Sequence, residues 1–353
     1  VAGCVHPWKK LIMIDFDYAA LRCIGLNNTI ISRLAETGAS APGSRLCRIT
    51  EYQRGRITLH DGTLEFPARA LPRLLAETPL CVGDWVIARP NDLNEMWISH
   101  RLSPMNEIRR ADSPPIASNI DTALLVMGLD GDFNLRRIER YIALAAGAEI
   151  APLIILSKPD IYPDADSRIA ALEARIPPGI PFLAINGTCA ESVAQLNPWL
   201  GQGQTICLLG SSGAGKSTLT NALTAAAQET GGVRGGDDRG RHTTTARSMH
   251  QCRSGACIID TPGLRSLSPE TLSSSFDDIE SLAAACQFRD CRHQGEPGCA
   301  VAGGVDPDRL QNYHKLQREV RRNQLTALER IAERQKWKSL MKSAAARSRQ
   351  KRN

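Results

Sequence analysis

Eight consecutive residues, Gly210, Ser211, Ser212, Gly213, Ala214, Gly215, Lys216 and Ser217, satisfy the pattern G-x-x-x-x-G-K-[ST], and Thr218 follows them. These residue types in this spacing suit a polyphosphate. The glycines let successive backbone N–H groups curl around a β-phosphate, Lys216 reaches the β- and γ-phosphates, and the Ser217 hydroxyl is placed to ligate Mg²⁺. A glycine-rich turn without a ligand would not require Lys and Ser at those two places. The context agrees with the chemistry, because an apolar stretch at 205–209 precedes the glycines and a helical pattern starts at Lys216.

Downstream, an apolar stretch ends in Asp260, Thr261, Pro262 and Gly263, a D-x-x-G pattern that sets a carboxylate beside the metal and a glycine N–H at the γ-phosphate. Alone this pattern is weak; at a strand end after a phosphate loop it gains weight. Between the two lie Gly240, Arg241, His242, Thr243, Thr244 and Thr245, a polar segment with no hydrophobic period. Thr245, or its neighbour Thr244, is the candidate metal contact when a γ-phosphate is present, the plainer alternative being a loop without a ligand.

Base choice is expected upstream, where apolar 154–156 ends in Ser157, Lys158, Pro159 and Asp160, a variant of N-K-x-D. A carboxylate accepts from both N1–H and the 2-amino group of guanine, whereas adenine has an acceptor at N1 and no 2-amino group. Asp160 therefore separates GTP from ATP, although an Asp after a strand also commonly caps a helix. Ser157 stands where Asn is usual and reaches less far. After apolar 182–185, Asn186 and Gly187 offer backbone N–H groups to the guanine carbonyl.

A different chemistry follows at Cys286, Cys291, His293 and Cys299: three thiolates and one imidazole within 14 residues. Four such donors imply tetrahedral Zn²⁺, and with every position filled by protein the site is structural. Free cysteines beside a surface histidine, or a redox pair, are the alternatives. Among the 11 cysteines, Cys23, Cys81, Cys207 and Cys257 stand singly among apolar residues and read as buried thiols, not as a secreted disulfide framework.

The elements that must position these groups change texture along the chain. Short strand patterns at 46–50, 56–60, 85–88 and 96–100, with turns at Asp61-Gly62 and Gly83-Asp84, predict a small β-barrel. Beyond a linker-like stretch at 109–115, strands at 122–127, 152–156, 182–185, 205–209 and 256–259 alternate with helices at 135–146 and 216–226, the rhythm of a parallel sheet. The apolar run at 11–14 is cut short by Asp15 and Asp17, so neither a signal peptide nor a membrane span is expected, and the protein is placed in the cytoplasm. Formal net charge is +6, but residues 315–353 carry 13 Lys or Arg against 3 Glu, which leaves the preceding 314 residues slightly acidic. A helical tail with Leu310, Tyr313, Leu316 and Val320 on one face, then Leu325, Leu328, Ile331 and Trp337 among cations, points to a polyanionic partner; a solvated basic helix is the plainer reading.

The guanine motifs precede the phosphate motifs, so the usual order is rotated and not scrambled; loops gathered at the carboxyl ends of parallel strands can still build one site. With that order, with Gly240 to Thr245, with Asp260 to Arg265, and with Cys286 to His293, the chain from about 45 to 315 resembles the circularly permuted, ribosome small-subunit-dependent GTPases. The resemblance implies a multidomain protein: an extension at 1–44, an N-terminal OB-type β-barrel at 45–112, a central α/β P-loop GTPase domain in permuted order at 113–272, and a C-terminal α-helical zinc-binding domain with the basic tail at 273–353. It implies Mg²⁺-dependent GTP hydrolysis in late maturation of the 30S subunit, with GTP or GDP, the 30S subunit and 16S rRNA as partners of a monomer. The residues before Met13 fit the resemblance poorly and suggest an upstream start. Small GTPases usually place Gln after the D-x-x-G glycine, but Leu264 stands there, so His242 is the candidate that orients the attacking water beside Lys216 and Gly263. An RNA-binding scaffold with nucleotide as a structural ligand and an ATP-dependent enzyme are the alternative functions.

Overall fold

Polar caps and short apolar stretches shape the first elements of the chain. The computed structural model describes residues 14, 16–38, 43–53, 55–109, 114–224, 247–261, 272, 275–325 and 329. Asp17 caps α1 (Tyr18–Arg22) by accepting from the N–H groups of Ala19 and Ala20, and Asn27 caps α2 (Asn28–Glu36) by accepting from Ile30. Their apolar sides carry Leu21, Ile30 and Leu34 into the same core as Leu46, Trp85 and Ile87.

Five strands then close on themselves. They are β1 (Arg45–Gln53), β2 (Arg56–His60), β3 (Glu65–Ala70), β4 (Trp85–Pro90) and β5 (Met96–Arg101), paired in the order β1-β2-β3-β5-β4 and back to β1. This is the small β-barrel expected from the strand pattern, of the OB type that the resemblance implied, and closure removes the exposed edges an open sheet would leave. Its interior is filled by Cys47, Ile49, Ile57, Leu59, Ala68, Leu80, Val86 and Ile98. The strand pattern did not indicate β3, because Pro67 lacks the N–H a central strand needs. The fold accommodates it: β3 begins to pair with β5 only at Ala68, so Pro67 pairs with Thr58 of β2 alone. The helix α3 (Pro72–Glu77), with Pro at its first position, connects β3 to β4.

Strands β6 (Glu107–Arg109) and β7 (Pro115–Ser118) pair antiparallel at the two ends of the stretch expected as a linker, of which 110–113 lie outside the described residues. Then come β8 (Thr122–Gly128), α4 (Leu135–Gly147), β9 (Ala151–Ser157), α5 (Ala165–Glu173), β10 (Phe182–Ile185), α6 (Ala190–Ala194), β11 (Thr205–Gly210), α7 (Lys216–Leu223), β12 (Arg247–Gln251) and β13 (Cys257–Asp260). The sheet order is β10-β9-β8-β11-β13-β12, parallel except for β12. Every residue of β8 and β11 is buried, as sheet strands covered on both faces require. Alternate residues feed two cores: Leu125, Met127, Ile154 and Leu156 join one, and Leu124, Val126, Leu153 and Ile155 join the other with Leu219 and Leu223 of α7. Strand β12 also pairs with β1, at Glu51 with Ser248 and Tyr52 with Arg247, so barrel and parallel sheet lie in one unit, Val1–Leu267. Of the cysteines read as buried, Cys81, Cys207 and Cys257 are; Cys23 is half-buried, because it follows the last turn of the short α1, where Gln202 Nε2 donates to its sulfur.

Arg48 of β1 ties these parts together from inside. Its side chain is fully buried and donates to the carbonyls of Gly83 (3.2 Å), Asn119 (3.0 Å) and Ile24 and to Thr205 Oγ1 (2.9 Å), while its guanidinium lies 5.6 Å from the Trp85 ring centroid. One cation thus joins the turn after α1, the barrel, the residue after the β7 strand and the start of β11. Removing it strands several buried carbonyls without a donor. Arg48→Ala is expected to destabilise the protein by about 3–5 kcal/mol, read from the denaturant midpoint of Val1–Leu267 signals; a change below about 1 kcal/mol would contradict this role.

The second unit, Ser268–Asn353, contains α8 (Asp277–Ala283), α9 (Ala300–Gly304) and α10 (Pro307–Gln324) among its described residues. Asp306 caps α10, and Arg309 forms a two-pronged pair with Asp278 (2.9 and 2.7 Å) while stacking on Phe276, which meets Tyr313 edge-on at 5.4 Å. This pairing turns the helix relative to its expected apolar face: Arg309, Asn312, Tyr313 and Leu316 are buried, and Leu310 and Val320 are only half-buried. Leu325 is half-buried, while Leu328, Ile331 and Trp337 lie outside the described residues. Among the described residues no helix is long and apolar enough to cross a membrane.

Candidate functional site: a phosphate loop beside a base pocket

Parallel strands present their carboxyl ends to one edge of a sheet, and β11, β13, β9 and β10 end at Gly210, Asp260, Ser157 and Ile185. The segments expected to hold phosphate and base therefore leave the sheet side by side despite their order in the chain. Gly213 and Gly215 take φ of +82° and +94°, conformations glycine adopts without the steric cost other residues meet. A Cβ on Gly215 would also lie 3.2 Å from Ser157 Oγ.

That close approach gives the Ser157 hydroxyl a partner in the phosphate loop. A shorter side chain than Asn was expected to reach less far, yet its Oγ donates to the Ala214 carbonyl at 2.6 Å, since Gly215 lets the phosphate loop come near. Lys158, at φ +62°, extends its Nζ to the Gly213 carbonyl at 2.8 Å. Ser157, Lys158, Asp160, Asn186, Gly187, Gly215, Thr218 and Leu219 line one cavity of about 190 Å³. In the Asn186 loop, the Asn186 N–H is taken by Ser192 Oγ and the Thr188 N–H by Asn186 Oδ1, both at 2.9 Å. The Gly187 N–H donates to no acceptor among the described residues, which makes it the donor left for a base carbonyl. A larger cavity of about 650 Å³ adjoins this one between α6 and α7, sharing Gly187, Thr188 and Thr218. Asp160 and Gly215 of the phosphate loop line the smaller cavity and not the larger one, so the base-reading chemistry is assigned to the smaller.

Lys216 is 8% exposed, and its Nζ donates to the carbonyls of Gly210 (2.9 Å) and Ser211 (2.7 Å). Burial lowers its pKa, with the charges of Asp260 and Asp132 acting in the opposite direction. Asp260 is 4% exposed; burial raises its pKa against the pull of Lys216. A desolvated lysine beside a desolvated carboxylate is a pair whose charges gain most when a polyphosphate and a divalent cation arrive. The hydroxyl of Ser217 and the carboxylate of Asp260 are hard oxygen donors of the kind Mg²⁺ takes. His242, Thr244, Thr245 and Gly263 lie outside the described residues.

Two residues of the site escaped the sequence reading. Asp130 and Asp132 follow β8; Asp130 Oδ2 accepts from Lys158 Nζ at 2.6 Å, and Asp132 accepts from Ser211 Oγ and pairs with Arg137. Although burial works the other way, the Lys158 hydrogen bond and the Asp132 N–H hold the Asp130 carboxyl below the ordinary carboxylate range. The available signal was a pair of carboxylates at the carboxyl end of an apolar strand beside the phosphate-loop strand.

In the second unit, Cys286, Cys291, His293 and Cys299 bring their ligand atoms within 4.8 Å of one another. His293 Nδ1 lies 3.6 Å from Cys286 Sγ and 3.5 Å from Cys299 Sγ, and the two sulfurs are 4.0 Å apart. A tetrahedral ion with Zn–S of about 2.3 Å and Zn–N of about 2.0 Å sets sulfurs about 3.8 Å apart and nitrogen about 3.5 Å from sulfur. The donor set and spacing fit Zn²⁺. Cys286 leaves α8, His293 takes φ +57°, and Cys299 caps α9 by accepting from the Ala302 N–H, so the cluster joins two helices that have little core of their own. Glu296 holds the turn by accepting from the N–H groups of Arg292 and Gln294.

A family model described as RsgA GTPase matches residues 99–270. The small ribosomal subunit biogenesis GTPase RsgA of Xanthomonas axonopodis pv. citri (strain 306) is 40% identical over 343 residues, 90% of this chain and 92% of that protein. The protein of the same name from Xanthomonas euvesicatoria pv. vesicatoria (strain 85-10) is 41% identical, covering 84% and 85% of the two chains. The fold is shared with the crystal structures of YjeQ from Thermotoga maritima (TM-score 0.59, 24% identity, 78% of this chain and 98% of that one) and of YloQ, a circularly permuted GTPase (TM-score 0.55, 24% identity, 80% and 97%). With 40% identity to the first of these relatives carried across 90% of its length, the chain belongs to the RsgA GTPase family.

Proposed function

We propose that this protein hydrolyses GTP during late maturation of the 30S ribosomal subunit, with the subunit as the activator of turnover. The observation that carries the reading is the pair of hydrogen bonds from Ser157 Oγ to Ala214 O and from Lys158 Nζ to Gly213 O, which fasten a base-reading loop to a phosphate loop. In this reading Gly210 to Thr218 hold the phosphates, Asp160 accepts from the guanine edge, and Gly187 donates to its carbonyl. Ser217, Asp260 and Thr245, or Thr244 in its place, would hold Mg²⁺, which supplies charge neutralisation at the β- and γ-phosphates when bound. Lys216 brings its charge to the same oxygens, Gly263 offers an N–H to the γ-phosphate, and His242 orients the attacking water in place of the Gln that Leu264 replaces. Cys286, Cys291, His293 and Cys299 hold one Zn²⁺ that fixes the C-terminal fold at 273–353. Beside the barrel at 45–112 and the GTPase segment at 113–272, the basic tail binds 16S rRNA, its cations gaining from counterion release. The protein acts as a monomer in the cytoplasm.

One assay tests activity and partner together: GTP hydrolysis by the purified protein with 30S subunits, with 50S subunits and with neither. Turnover is expected to rise at least about tenfold with 30S subunits alone, and His242→Ala is expected to lose about 100-fold of that stimulated rate. Equal rates in all three mixtures would remove the partner, and an unimpaired His242→Ala would remove the water-orienting role.

A further inference from the structure

Lys158 holds an uncommon backbone conformation and spans two loops, and something must keep it there. Its φ of +62° is one that a side chain with a Cβ seldom adopts. Two bonds fix its ammonium group: one to the Gly213 carbonyl of the phosphate loop at 2.8 Å, the other to Asp130 Oδ2 at 2.6 Å. Asp130 is itself fixed. Arg168 of α5 donates to the carbonyls of Leu129 and Asp130 at 2.9 and 2.6 Å, and its guanidinium lies 4.2 Å from the Tyr162 ring centroid and 5.4 Å from that of Phe133. The loop after β8, the loop after β9 and α5 are thereby locked together at the edge of the base pocket.

We infer that Asp130 is a positioning residue for guanine-nucleotide recognition, holding Lys158 across the pocket wall so that the base loop and the phosphate loop stay in register before nucleotide arrives. The role rests on the reading of 157–160 as the base-binding loop. Without the carboxylate, Lys158 keeps one partner and its flexible stem regains rotamers that binding must then freeze, so affinity falls mainly through faster dissociation. The Asp130–Lys158 pair is about 30% exposed at both side chains, so as a mere surface ion pair it would leave nucleotide binding untouched.

The test is GDP and ADP binding, with dissociation rates, by the full chain and by Asp130→Ala, Asp130→Asn, Lys158→Ala and the Asp130→Ala/Lys158→Ala double variant. Wild type is expected to prefer GDP; Asp130→Ala to weaken GDP about tenfold with the dissociation rate carrying most of the change; and Asp130→Asn, which keeps the shape and an acceptor, to lose less. In the Lys158→Ala background the Asp130 change should cost almost nothing more. KM for GTP should rise with kcat changed by no more than about twofold. A wild-type preference for GDP with Asp130→Ala and Asp130→Asn binding like wild type overturns the inference, as does an undiminished Asp130 effect in the Lys158→Ala background. Absence of any guanine preference in wild type overturns the base-loop reading instead.

Discussion

Lys216→Ala is expected to lower 30S-stimulated GTP hydrolysis by about 100-fold or more while leaving the protein folded. The lysine is buried and donates to two carbonyls of its own loop, Gly210 and Ser211, so in the empty protein its removal sets the relief of one desolvated charge against two acceptors left without their donor, fewer than Arg48 serves. The phosphates have no such compensation. Charge that grows on the β–γ bridging and γ-oxygens during cleavage would face two carboxylates, Asp260 and Asp132, whose fields now reach the site without the cation between them. Single-turnover hydrolysis at saturating GTP, alongside thermal unfolding, separates the effects. A variant that still supports subunit maturation at the normal rate would favour the scaffold function, in which nucleotide is held but its turnover does no work.

Cys299→Ser is expected to remove bound zinc and to unfold the second unit while the first still binds guanine nucleotide. Cys299 is both a ligand candidate and the cap of α9, and the helices it joins bury few large apolar side chains, chiefly Phe276, Ile279, Val301, Tyr313 and Leu316. For so small a core a structural metal contributes on the order of 10 kcal/mol at neutral pH, more than the unit's apolar burial can replace. Metal analysis should give about one zinc per wild-type chain and none in the variant. Hydrogen exchange at 277–283 and 307–324 should rise in the variant and be unaltered in the parallel sheet. Retention of full protection in α10 without metal would show that the cluster is not what holds this unit.

The phosphate loop was legible in the sequence because its chemistry fixes residue types at fixed spacing, and the parallel strands because burial on both faces leaves uninterrupted apolar runs such as β8 and β11. What depends on tertiary approach was not. Ser157 looks too short for its task until Gly215 brings the loop to it, and Asp130 and Asp132 look like loop acids until β8 is seen beside β11. Strand β3 was hidden by Pro67, whose missing N–H matters only if a second neighbour pairs there. Arg48 reads as an ordinary polar position of a half-buried strand; nothing local says that four partners distant in sequence will bury it. The face of α10 was misjudged because Arg309, polar by type, is held inside by Asp278 and Phe276.

A guanine-reading carboxylate at 160 has a direct chemical test: the nucleotide preference of Asp160→Asn. An amide at that place keeps an acceptor for N1–H but turns a donor toward position 2, where guanine has an amino group and xanthine a carbonyl. Competition binding should show the variant losing GTP by about 100-fold and gaining xanthosine triphosphate by a comparable factor, with Lys216 still required for either. Equal affinity of the wild-type protein for GTP and ATP, or an Asp160→Asn variant that keeps GTP and ignores xanthosine triphosphate, would contradict a single nucleotide gripped at once by the 210–217 loop and by residue 160.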